Sequence, residues 1–205
     1  MGNTQLGISD VIQFELSKED LNVCIDNAKN IMTTIIDRRD LHSRDDLERF
    51  NNLLMGEISE MMVLRWLHSH GKYAVSTVNK TSREPDIGHD LQLRDKNGRP
   101  IHCSVKSSLS ALKDLNYIIN NFKLATKQSE LREVNVQVYF WLVINPTNNG
   151  ESRTTVMSLR NSAIIGWFGA RDLSSFSSYA TENRQAPTKP LKEARCMASL
   201  LEFLS

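Results

Sequence analysis

With 205 residues, 40% of them hydrophobic, the chain can bury one sizeable core, and no shift in composition demands a second domain. No apolar run approaches membrane-spanning length, and the first residues lack the basic and apolar regions of a signal peptide. The net charge of +1 shows no general basic excess, and the three scattered cysteines, Cys24, Cys103 and Cys196, have no zinc spacing, so reduced thiols in a cytoplasmic protein are expected.

In chain order, Ser17-Lys18-Glu19-Asp20 opens a helix reaching Ile36, with Leu21, Ile25, Ala28, Ile31, Met32 and Ile35 on one stripe. A second helix is predicted from Ser43 to His68, with Ser43 as its cap and Asp45 and Asp46 in its first turn, where negative charge suits the helix dipole. Leu47, Phe50, Leu53, Leu54, Ile58, Met61 and Leu64 form its apolar stripe. Glu57 falls inside that arc and Glu60 at its edge. A carboxylate facing a core must find a cation, a metal or water, because burying it alone is expensive. A plain alternative is a pair of surface glutamates, one of them paired with Arg65.

Tyr73 to Val78 reads as the first strand. From Asp86 to Arg94 apolar side chains fall on odd numbers, as in a half-buried strand. Asp95-Lys96-Asn97-Gly98 supplies turn chemistry, and the return strand is Ile101 to Lys106. Its apolar face carries Ile101, Cys103 and Val105, and its polar face His102, Ser104 and Lys106. From alternation alone an ordinary solvated hairpin is the favoured reading.

Farther on, a helical segment is predicted from Ala111 to Arg132, interrupted near Asn120-Asn121, and Val134 to Ile144 is the strongest strand in the chain. Thr154 to Leu159 reads as a short strand, and Ile164, Ile165, Trp167 and Phe168 as a packed segment. The stretch Ser174–Pro190 reads as a loop, and Leu191 to Leu204 as a closing helix. Trp66, Trp141 and Trp167 sit in apolar runs and are assigned to packing. Cys103 is likewise assigned to strand packing. His68 and His70, two apart on a helix, diverge instead of chelating.

Glu60, Leu67 and Gly71, then Pro85-Asp86-Ile87, then Ser104-Val105-Lys106-Ser107-Ser108, resemble the PD-(D/E)XK nuclease superfamily. There, a helix with a glutamate leads into a strand, a PD hairpin and an acid-x-Lys strand. The resemblance covers residues 56 to 108, about a quarter of the chain. It implies an α/β fold, a single domain over residues 1–205 with a central mixed β-sheet flanked by helices and a restriction-endonuclease-like core. Residues 1–42 would form an N-terminal helical segment, 43–145 the catalytic core, and 146–205 an extension with room for recognition elements.

Carried over by position, Asp86 resembles the metal-binding aspartate, Glu60 the helix carboxylate that orients metal or water, and Lys106 the lysine that orients the attacking water. The Val105 carbonyl would be a candidate metal ligand, and Glu57 a further one. Ser104 stands where the family usually has an acid. Some restriction endonucleases also carry Ser-x-Lys and recruit a carboxylate from a nearby helix; Glu57 and Asp114 are the candidates here, with Asp90 ranked behind them. Lys113, Ser107 and His102 are candidate DNA contacts.

The implied function is Mg²⁺-dependent hydrolysis of double-stranded DNA, with Mn²⁺ able to substitute, by a homodimeric type II restriction endonuclease. A junction or repair nuclease, a degenerate nuclease that binds DNA without cutting it, and an interaction domain with a fortuitous hairpin are the alternatives.

Overall fold

The computed structural model describes residues 5–34, 45–77, 89–126, 130–131, 133–143, 153–181 and 184–205. Helix α1 spans Lys18–Thr34 and helix α2 spans Asp46–Ser69. Asp45 caps α2 by accepting the Glu48 backbone N–H at 2.6 Å; the expected cap, Ser43, lies outside the described residues. The two helices pack together and are tied by Arg65, whose Nη2 lies 2.6 Å from Asp20 Oδ1. That hydrogen bond holds the Asp20 carboxyl below the usual carboxylate range.

The deepest burial on α2 falls on Ile58, Met62, Val63, Trp66 and Leu67, whereas Leu47 is exposed. The buried face is therefore rotated from the predicted stripe. Wedged between α1 and the sheet, α2 is apolar around most of its girth, so periodicity alone cannot set the phase.

Gly71, at a φ of 68°, ends α2 in the left-handed region that favours glycine. Strands β1 (Ala74–Ser76), β2 (Leu91–Arg94) and β3 (Pro100–Ala111) follow as an antiparallel meander. The predicted β2–β3 turn is present. Asp95 Oδ1 accepts the N–H groups of Asn97 and Arg99, each at 2.8 Å, and Gly98 takes a φ of 75°. β3 runs on past Lys106 because β5 (Val134–Leu142) pairs with it in parallel, from Cys103↔Val134 to Ala111↔Leu142. β6 (Ser162–Phe168) pairs antiparallel with β5, giving a five-stranded mixed sheet in the order β1-β2-β3-β5-β6.

Four predicted elements are corrected. The segment from Ala111 to Arg132 is not one helix: α3 covers only Leu115–Asn121, and β4 (Lys123–Ala125) follows. Asp114 caps α3 late, and Phe122 is already extended, so the helix is confined to two turns. Thr154 to Leu159 is no strand; a reciprocal Thr155–Ser158 capping box starts helix α4 (Val156–Arg160). The Ser- and Pro-bearing stretch forms β7 (Ser177–Thr181) and β8 (Arg184–Pro190), which join β4 in a second sheet ordered β4-β8-β7. The closing segment turns once at Leu191–Glu193 before helix α5 (Met197–Phe203).

The main sheet separates two cores. One face carries Cys103, Val134, Val136, Val138 and Phe140 against α2. The other carries Tyr139, Trp141, Ile165 and Phe168 against α3, β4 and Leu191. Every residue of β5 is buried, as expected of a strand covered on both faces. All three tryptophans are buried, and the three cysteines are free thiols. Among the described residues no helix is long and apolar enough to cross a membrane.

Two outcomes follow from this packing. A Cβ at Gly166 would lie 2.5 Å from the Arg195 carbonyl oxygen, which belongs to backbone and cannot swing away. Gly166→Ala is expected to lower unfolding stability by about 1–3 kcal/mol in urea titrations. Burial pushes the Tyr139 hydroxyl up to about 12. Since the unfolded chain releases that proton near pH 10, the native state binds more protons between about pH 10 and 12, and stability falls there by about 1.4 kcal/mol per pH unit. Tyr139→Phe should remove that component of the alkaline slope.

Candidate active site

Alternation along β3 sends Cys103, Val105 and Leu109 into the core beneath α2, and His102, Ser104 and Lys106 to the other face. That second face is apolar at Tyr139 and Trp141 but polar where β3 and β5 begin. Lys106 Nζ lies 2.5 Å from Glu130 Oε2, and Glu130 is only 3% exposed. Thr126 Oγ1 sits 3.2 Å from the same carboxylate oxygen and 2.8 Å from Asn135 Oδ1. Asn135 Nδ2 donates to the carbonyls of Glu130 and Glu133, at 2.9 and 3.1 Å. One buried amide thus fixes the turn that carries both glutamates.

Glu133 reaches forward from that turn. Its Oε2 accepts from Ser104 Oγ at 3.3 Å, and its Oε1 lies 2.8 Å from His89 Nδ1. The His89 ring stacks on His102, with centroids 3.7 Å apart and planes 20° from parallel. Gln137 Nε2 donates to the Lys106 carbonyl at 3.0 Å and anchors the strand behind the site.

The aspartate of the site comes from a fork between strands. Pairing of β2 with β3 reaches Leu91↔Cys103, and the Asp90 N–H still donates to the Cys103 carbonyl at 3.1 Å. Beyond that point the Asp90 carboxylate replaces the next backbone partner: Oδ2 accepts the Val105 N–H at 2.6 Å. Its backbone carbonyl is held in turn by the Thr77 N–H at 3.0 Å. A carboxylate is therefore fixed beside Ser104-Val105-Lys106 by the ladder itself.

The thiol of Cys103 registers the resulting field. Burial raises it well above its usual range, Asp90 and Glu133 push it further, Lys106 opposes them, and Glu60 adds to the rise. Negative potential thus gathers at this end of β3.

The structure brings together Ser104, Lys106, His102 and Asp90, with the Val105 backbone between them. Pro85 and Asp86 lie outside the described residues. Glu57 and Glu60 are buried on α2, which packs on the face of the sheet opposite the Lys106 side chain. Glu57 Oε2 accepts from Asn27 Nδ2 of α1 at 2.9 Å, whereas Glu60 is near enough to β3 to act on Cys103. Asp114 accepts the Tyr117 N–H as the cap of α3. Lys113 Nζ sits 4.3 Å from the centre of the Tyr117 ring, and Ser107 is half-buried on the Val105 face.

Glu130, Glu133 and His89 were not singled out from sequence. The first two sat inside, or just past, a segment read as helix. Their only signal is position: they immediately precede the strongest strand, and parallel pairing places that strand's start beside Ser104. His68 and His70 do diverge, one to the Ala74 carbonyl and the other to the Trp66 carbonyl. Comparison with protein-family models, curated proteins and solved structures found no match.

Since burial and three neighbouring carboxylates all disfavour its thiolate, Cys103 should resist alkylation in the native state while the half-buried Cys196 reacts. Mass mapping after iodoacetamide treatment at pH 8 checks this. Equal labelling of the two would contradict the arrangement described.

Proposed function

We propose that this chain is a metal-dependent endodeoxyribonuclease, of the restriction type, acting on double-stranded DNA. The observation that carries the reading is the gathering of Asp90 and Glu133 with Lys106 around Ser104-Val105, at a fork where β2 leaves β3. The chain order of glutamate helix, strand, hairpin and Ser-x-Lys strand supports it. So does the departure at Ser104, since the serine hydroxyl donates to Glu133, a carboxylate supplied from elsewhere in the chain.

The donor set suits a hard divalent ion. Asp90 and Glu133 offer carboxylate oxygens, and the Val105 carbonyl is a third candidate, which is the ligand chemistry Mg²⁺ prefers and Mn²⁺ tolerates. Asp86 and Glu60 remain proposed members of the set. A bound Mg²⁺ supplies a water of lowered pKa and neutralises phosphate charge. Lys106 holds its ammonium at the same strand and stabilises negative charge developing on the phosphate. His102, Lys113 and Ser107 are the proposed DNA contacts, in a cytoplasmic homodimer whose two-fold axis suits a palindromic site.

A second reading has its own support. Lys106 is already matched by Glu130, and Ser104 carries no charge, features that fit a protein which holds DNA without cutting it. Plasmid incubation separates the two. Cleavage is expected with Mg²⁺ and not with a chelator, and Asp90→Ala, Asp86→Ala and Lys106→Ala should each lower the rate by roughly 100-fold or more. Full nicking by Asp90→Ala and Lys106→Ala would refute the assignment, and gel retardation without cutting would favour the binding protein.

A further inference from the structure

The geometry points to a second kind of metal site, one for a borderline transition-metal ion such as Zn²⁺ or Co²⁺, formed by His89, His102 and Glu133. Each residue offers one ligand atom, and the three atoms all lie within 4.8 Å of one another. They come from three separate parts of the chain: the residue before the β2 fork, the polar face of β3, and the turn before β5. Their convergence is thus a product of the fold and not of a local charge run. It does not rest on the nuclease reading, although Glu133 is common to both and His102 is also a proposed DNA contact.

The state of His89 supports this. Its Nδ1 is buried and has no hydrogen-bond partner among the described residues, although Glu133 Oε1 stands only 2.8 Å away. The two atoms stand close enough to pair, yet no directed hydrogen bond joins them. A buried ring nitrogen left without a hydrogen bond is costly. An ion placed along that nitrogen's own direction would have the glutamate oxygen beside it as a second ligand.

Two imidazoles and one carboxylate make a donor set that suits Zn²⁺, Co²⁺ or Ni²⁺ and discriminates against Mg²⁺, which prefers oxygen throughout. Three protein ligands leave a fourth tetrahedral position open for water or a phosphate oxygen. In a tetrahedron with bonds of about 2.0–2.1 Å the ligand atoms stand about 3.3 Å apart, so binding must draw the set closer than 4.8 Å. The near-parallel His89–His102 stack has to open for this. His102 is exposed on its strand and can turn without disturbing the core.

The test uses the full chain freed of metal by chelation and titrated with Co²⁺ alone, followed by visible ligand-field absorption. One equivalent is expected to bind, to be displaced by Zn²⁺, and to withstand a large excess of Mg²⁺. His89→Ala, His102→Ala and Glu133→Gln should each weaken binding by roughly tenfold or more with the far-UV circular dichroism unchanged. His102→Ala is the deciding variant, because removal of an exposed ring leaves the fold intact. Co²⁺ affinity within threefold of the parent in that variant, or no binding by the parent, would overturn the site. Neither result depends on whether DNA is cut, so failure here is distinguishable from failure of the nuclease proposal.

Discussion

The parallel ladder between β3 and β5 is the constraint from which the rest of this molecule follows. Its register runs unbroken from Cys103↔Val134 to Ala111↔Leu142. A parallel pair needs a crossover, and here the crossover contains α3 and β4 and ends in the turn bearing Glu130 and Glu133. Because β5 is buried on both faces, its register cannot slip by one residue without turning polar Asn135 and Gln137 into the α2 core. That fixed register decides what stands beside Lys106.

The same ladder creates a local conflict and resolves it with side chains. At the start of β3 and β5 the second face of the sheet is polar, and the groups buried there must be paired. Asn135 is 1% exposed, yet its amide bonds two carbonyls and contacts Thr126. Glu130 is buried against Lys106 and Thr126, a charge pair whose burial is tolerable only because further polar contacts support it. On the other edge β2 departs, and the Asp90 carboxylate takes over a backbone N–H. The polar cluster is therefore held by ladder geometry on both sides.

Much of the framework was legible in the sequence because it depends on local rules. The α2 helix, the Asp95–Gly98 turn, the two faces of β3 and the strength of β5 follow from capping, turn chemistry and alternation. Buried tryptophans and the packed role of Cys103 follow from apolar context. The misread segments that become β4, β7 and β8 fail for one shared reason: their stability is supplied from outside. β7 and β8 look like a Ser- and Pro-bearing loop, yet β8 finds β4, and the helical pattern after Ala111 yields to a strand once that partner is present. Tertiary pairing overrides propensity where segments are short.

For the candidate site, the sequence determined the polar face of one strand, Ser104 and Lys106 with His102, since period-two alternation is a property of the chain alone. It also set the presence of an aspartate close upstream, but ranked Asp90 behind residues that the fold places elsewhere: Asp114 as a helix cap and Glu57 against α1. Glu130, Glu133 and His89 were decided only by the tertiary structure. Their approach to Ser104 and Lys106 spans 29 positions or fewer in sequence yet passes through a parallel crossover and a strand fork. Neither leaves a periodic trace, because the spacing of residues along a chain carries no record of which strand will lie beside which.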